Sequence, residues 1–316
     1  MTRALVPTGP PAISDLIRTF LDGLSPHTLI AYSRDLDDFA RFLTGSRQEA
    51  LGRFFSQPAP AANADVLRYR HDLVARQLAP ATINRRLAAI RSLTKLARLL
   101  GVVPWAIEVQ DVPQETLRDT RGPGVETVAE MMRLAAAPRD SYAVRNVAML
   151  RVMFDLALRV SEVVRLDVVD LELDRGALWV SGKGRAEKEV LSLPANTQEA
   201  ITAWLRVRGT KEGPLFLTLG PRRNRQPSRS RFTARGIYRI VSELGEQAGA
   251  KVWPHGLRHT AITSAVQVAQ EHGVTLDEVR QFSRHKNINT LLVYRDRVRD
   301  VQGQLAAMVA DTVKVS

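Results

Sequence analysis

Apolar residues in the first third of the chain recur every three or four positions. After Ser25 and Pro26, a capping residue followed by a proline at a first helical position, Leu29, Tyr32, Leu36, Phe39 and Leu43 keep this rhythm and predict an amphipathic helix. A second helix is expected over 65–77. A third follows Pro80, with Ile83, Leu87, Ile90 and Ala97 as its buried stripe and Gly101 and Pro104 as its end. Residues 12–105 therefore read as an all-helical unit. The stretch 106–124, with Pro113, Gly122, Pro123 and Gly124, lacks helical periodicity and reads as a linker to a second unit over 125–316.

The helical rhythm returns in "VETVAEMMRLAAA" and "YAVRNVAMLRVMFDLAL", and then the period changes. "GALWVSGKGRAEKEVLSLP" reads as a β-hairpin, with strands over 177–180 and 188–193 joined by a glycine-rich turn. "NTQEAITAWLRVRG" is helical again, further helices are expected after Thr233, Pro254 and Thr275, and a last one over 300–313. The fold class expected is mainly α with a small β-hairpin or sheet: a helical N-terminal unit followed by a mixed α+β unit.

Composition narrows the function classes. The chain has 316 residues, 45% of them hydrophobic, and no cysteine, which excludes disulfides, thiolate metal sites and cysteine nucleophiles. No run of eighteen apolar residues occurs and the N-terminus has no stretch of signal-peptide length, so a cytoplasmic, nucleoid-associated protein with no membrane partner is expected. The 45 Lys and Arg against 33 acidic residues leave a net charge of +12, which favours a polyanionic partner such as double-stranded DNA. Two basic stretches are candidates for its contact. One is a face of the third helix, with Asn84, Arg91, Lys95 and Arg98, to which Arg85 and Arg86 add charge. The other is a loop over 222–235 containing Arg222, Arg223, Arg225, Arg229 and Arg231. A merely solvated charged face is the alternative for the first.

Within "WPHGLRHT" two histidines stand four apart with an arginine between them. The spacing suits a zinc site, but no third ligand follows the pattern and Arg258 would repel a divalent cation; no metal site is expected. A phosphate fits better, because His255 and Arg258 share one face at the start of a helix after Pro254. Arg159 precedes Glu162 by three residues near the end of an apolar helix, so an ion pair between them is the structural alternative to a ligand contact. Lys183 sits at the expected hairpin tip, and His285 precedes Tyr294 by nine residues.

These residues in this order resemble the tyrosine recombinases, or phage integrase family. The resemblance lies in the arginine of "ALRVSE", the lysine of "GKG", "HGLRH", the later histidine and the tyrosine nine residues on; "SPHTLIAYSRDLDDFARFL" and "LAPATINRRLAAIRSLTKLARLLG" are similar to the family's core-binding domain. It extends over roughly residues 12–300. The chain departs from the family pattern in three respects: Ala157 stands where the family usually has glycine, "SRH" stands for "LGH" so that Ser283 and Arg284 replace leucine and glycine, and the stretch between "HGLRH" and His285 is a few residues longer.

The resemblance implies a site-specific DNA recombinase without cofactors. Tyr294 attacks a phosphodiester and forms a 3′-phosphotyrosyl link; His255 is the base, and Lys183 protonates the leaving 5′-oxygen. Arg159 and Arg258 clamp the non-bridging oxygens, His285 adds a hydrogen bond, and Glu162 orients Arg159. With these cations a divalent metal is dispensable, and exchange of one phosphodiester for another needs no ATP. The resemblance further implies that the two units clamp duplex DNA. Four protomers, or this chain with a partner recombinase, would assemble on two DNA sites, coupled by a C-terminal helix with the stripe Val301, Leu305, Met308 and Val309. Little room precedes residue 12 for an arm-binding domain, which suits a two-domain enzyme of the Xer type or a mobile-element integrase. The alternatives are a type IB topoisomerase or telomere resolvase with the same chemistry, or a DNA-binding relative that has lost catalysis.

Overall fold

A computed structural model describes residues 11–113, 122–182, 187–220, 227–285 (for 227–229, the backbone alone), 287, 288, 290–292, 294 and 309. The chain divides into two units, Met1–Leu117 and Arg118–Ser316.

Among its described residues the first unit holds five helices: α1 Ile13–Asp22, α2 Pro26–Phe42, α3 Arg47–Phe55, α4 Ala59–Ala75 and α5 Pro80–Leu99. Leu16, Leu36, Phe39, Phe54, Tyr69, Leu73, Ile83 and Leu87 close its core. Helices α2, α4 and α5 match the periodicity. Helix α1 has no side-chain cap to announce it, and α3 is a nine-residue element begun by a Ser46–Glu49 capping box. The segment after α5 packs back onto this unit: Val103 and Ile107 enter the core, and the Trp105 indole donates to the Gln57 carbonyl at 3.1 Å. Two asparagines clasp its backbone, Asn63 at Ala106 and Glu108, and Asn84 at both polar groups of Val112.

The second unit is built round α7, Ser141–Asp155, which packs against α6 Val125–Ala136, α9 Ala195–Arg208 and α11 Pro254–Glu271. Between α8, Val160–Arg165, and α9 lies an antiparallel sheet of β1 Leu171–Glu172, β2 Ala177–Ser181 and β3 Lys188–Ser192, in that order. Leu178 and Val180 alternate inward along β2 toward Met149, Met153 and Trp204, whereas Trp179 faces out. Arg-rich residues beyond α9 form a strand rather than the expected continuous loop: β5 Pro227–Arg231 pairs antiparallel with β4 Leu217–Leu219. Helices α10 Ala234–Gln247 and α12 Leu276–Ser283 also belong to this unit. The expected helix over 300–313 lies outside the described residues apart from Val309. No helix among the described residues is long and apolar enough to cross a membrane.

Candidate active site

The site lies where the start of α8, the first turns of α11, the end of α12 and the turn carrying Tyr294 meet. Pro254 at the first helical position starts α11, and one turn sets His255, Arg258 and His259 close together. A second, small apolar cluster of Ala157, Ala261, Ile262, Val266, Leu291 and Tyr294 ties the tyrosine's turn to α11. Apolar packing therefore places Tyr294 beside the start of α11.

Glu162, fully buried, is the hub of the cationic side. Its Oε1 accepts from Arg159 Nη1 at 2.8 Å, and its Oε2 accepts from the Arg159 backbone N–H at 2.8 Å. The same Oε2 accepts from Arg284 Nη2 at 2.9 Å. Burial pushes the Glu162 carboxyl up, but the charge of Arg284 and then the N–H and guanidinium of Arg159 outweigh it and hold it below the ordinary value.

Arg258 is 1% exposed and donates through its two terminal nitrogens to the carbonyls of Ala157 and Ser283. Burial, then repulsion from Arg159 and Arg284, lowers it to about 9, which still leaves it charged at neutral pH. His285 is pushed down to about 4, first by burial and then by the charges of Arg258 and Arg159. Buried Nε of Arg258 and Nδ1 of His285 have no hydrogen-bond partner among the described residues. Crowded cations with unsatisfied buried donors are a site whose energy falls when an anionic oxygen enters.

Tyr294, 3% exposed, shares a hydrogen bond with His259, whose Nδ1 lies 2.5 Å from the phenolic oxygen. The His285 ring centroid is 6.2 Å from that of Tyr294. His255 is exposed and meets the His259 ring edge-on, with centroids 4.3 Å apart.

A family model described as the phage integrase family matches residues 126–299, and that of the phage integrase N-terminal SAM-like domain matches residues 20–99. The chain belongs to the phage integrase family. A tyrosine recombinase of Synechocystis sp. is 37% identical over 308 residues, 95% of this chain and 94% of the relative. Tyrosine recombinase XerC of Pelobacter propionicus is 33% identical over 292 residues, 88% of each. Two solved structures share the fold. The Tn1549 transposon integrase in complex with transposon right end DNA has a TM-score of 0.66 at 14% identity, over 95% of this chain and 99% of that one. XerH bound to a palindromic difH substrate has a TM-score of 0.64 at 15% identity, over 94% and 95%. This tyrosine recombinase is thus a site-specific DNA recombinase, whose family chemistry runs through a phosphotyrosyl link.

Of the six residues singled out in the sequence, the structure brings Arg159, His255, Arg258, His285 and Tyr294 into one neighbourhood, and Lys183 lies outside the described residues. Two residues of this neighbourhood escaped the sequence reading. His259 was hidden because the H-x-x-R spacing draws attention to His255, although the next helical turn carries the histidine that touches the tyrosine. Arg284 was visible only as a departure from glycine.

Few of the proposed DNA contacts are left unengaged. Asn84 is occupied by Val112; Arg85 pairs with Asp35; Arg86 pairs with Asp35 and Asp38; and Arg91 binds Asp111 and the Val109 carbonyl. Lys95 and Arg98 line a surface recess with Ser92, Leu96 and Leu99. Arg231 turns inward to Asp167 and the carbonyls of Val164 and Leu166. Arg222, Arg223, Arg225 and the Arg229 side chain lie outside the described residues.

Proposed function

We propose that Tyr294 is the nucleophile of this recombinase and that His259 receives its proton. The Nδ1–Oη distance of 2.5 Å carries this reading. A phenol is mostly protonated near neutral pH, so attack on phosphorus needs an acceptor in contact with it. The bond formed is Tyr294 Oη–P, and the bond broken is P–O5′. Lys183 gives the proton that leaves with the 5′-hydroxyl, and a 5′-hydroxyl of the second duplex reverses the steps, so no ATP is consumed.

Arg159 and Arg258 meet the two non-bridging oxygens of the scissile phosphate, whose negative charge grows in the transition state. His285, neutral at physiological pH, offers a hydrogen bond to the same phosphate, and His255, on the exposed side of His259, faces the incoming DNA. Lys95 and Arg98 contact the duplex backbone. Four protomers act on two DNA sites in the cytoplasm, on nucleoid DNA. Support for DNA as the partner comes from the charge of +12 and from the relatives solved with DNA.

The test uses a plasmid carrying two copies of the genomic duplex that the protein captures. Deletion or inversion between the copies, with no relaxation of a plasmid lacking them, is expected. Relaxation of any supercoiled plasmid without exchange would assign the chemistry to a topoisomerase instead.

A further inference from the structure

Two positions that depart from the family's glycines come together. Ala157 and Arg284 both sit in the left-handed region, at φ +47° and +53°, which glycine adopts more readily than a residue with a side chain. They are 127 residues apart in sequence, yet Arg284 Nη2 donates to the Ala157 carbonyl at 3.3 Å and Nη1 to the Leu156 carbonyl at 3.0 Å. The same Nη2 reaches Glu162 Oε2 at 2.9 Å, and the Arg284 side chain is only 4% exposed.

We propose that Arg284 is a positioning residue, a third guanidinium that sets the two phosphate-clamping arginines. Arg159 is reached through Glu162, whose carboxylate lies between the two guanidiniums. Arg258 is reached through the backbone: its two terminal nitrogens rest on the carbonyls of Ala157 and Ser283, the first shared with Arg284 and the second belonging to the residue just before it. With glycine at 284 the turn would still form, but Oε2 would keep only the Arg159 backbone N–H and the Ala157 carbonyl only Arg258. A buried arginine in a disfavoured backbone conformation is thus held by three contacts, of which two, to Glu162 and to the Ala157 carbonyl, are shared with Arg159 and Arg258, and the third ends on Leu156.

This inference rests on the proposed roles of Arg159 and Arg258. Its test compares wild type with Arg284→Gly, Arg284→Met and Arg284→Lys in single-turnover adduct formation. The substrate is the nicked suicide duplex on which the wild type traps itself, made with either an ordinary scissile phosphate or a methylphosphonate there. The methyl group removes the negative charge that the clamp neutralises.

On the phosphate, Arg284→Gly and Arg284→Met are expected to bind the duplex like the wild type and to cleave about 10-fold slower or worse, with Arg284→Lys between. On the methylphosphonate the gap is expected to shrink to about threefold or less, because the clamp's charge has less to do. Partial unfolding would slow both substrates equally, so an equal loss on both would overturn the proposal. An unchanged rate for Arg284→Gly on the phosphate would overturn it too. Absence of any wild-type adduct would instead remove the nucleophile reading and this inference with it.

Discussion

His259 Nδ1 and the Tyr294 hydroxyl lie 2.5 Å apart, in a site where both side chains are more than nine-tenths buried. A pair so placed has a fixed partner for the phenolic proton before any DNA arrives. Replacing His259 with Phe keeps the ring and removes the acceptor. Single-turnover adduct formation is expected to slow by about 10²-fold, the usual lower range for losing a general base, with duplex affinity unchanged. His255→Phe is expected to cost less in this step. The opposite order of the two variants would return the base to His255.

The buried carboxylate of Glu162 predicts a large stability effect. Glu162→Gln leaves Arg159 and Arg284 facing a neutral amide, the situation in which one half of a buried ion pair is removed. The cost is expected near 3 kcal/mol. A denaturant melt checks it, and a change under about 0.5 kcal/mol, the range of ordinary surface substitutions, would show the carboxylate to be dispensable.

His285 makes a pH prediction. Its pKa of about 4 lies below the ordinary 6.5, so the unfolded chain binds this proton first as the solution is acidified. Its contribution is fully present above pH 6.5 and is lost as pH falls toward 4, so the melting temperature of the second unit should drop through that window, and less so for His285→Asn. Duplex DNA should reverse the shift, because phosphate charge favours the imidazolium. Imidazole NMR titrations with and without DNA read both effects, and an unchanged pKa in the complex would place His285 away from the phosphate.

In the helical unit, one buried carboxylate gathers several of the basic residues. Asp38 accepts from Tyr69, Arg76, Arg41 and Arg86 and is held at about 2, burial being outweighed by hydrogen bonds from Arg76, Tyr69 and Arg41. Arg86→Ala removes one donor from Asp35 and Asp38 but leaves both paired, so it should cost about 1.5–3 kcal/mol of stability, the scale of a hydrogen bond to a charged group, and leave the salt dependence of DNA binding as it was. Reversing Lys95 and Arg98 to Glu should do the converse, leaving the melt unchanged and lowering the slope of log K against log salt by about 2. A salt slope that responds to Arg86 alone would exchange these roles.

Most of this was legible in the sequence, for identifiable reasons. The stripe from Leu29 to Leu43 and the alternation in "ALWVS" are local patterns, and the helices and strands they predict are found. The ion pair of Arg159 with Glu162, three residues on, is local too. The ion pairs of the α5 arginines were not legible, because their acceptors, Asp35, Asp38 and Asp111, lie 20 or more residues away in the chain and no periodicity shows such pairing. Arg284 shows the same limit, since its partners Leu156, Ala157 and Glu162 are brought to it only by the packing of α7, α11 and α12.

As the proposed nucleophile, Tyr294 should carry the broken strand. Wild type and Tyr294→Phe, each incubated with nicked suicide duplexes made from genomic fragments, are compared on denaturing gels and the trapped peptide is sequenced. A denaturation-resistant adduct formed by the wild type alone, with DNA attached through its 3′-phosphate to Tyr294, is the predicted result. An adduct that persists in Tyr294→Phe, or one mapped to another residue, would contradict it.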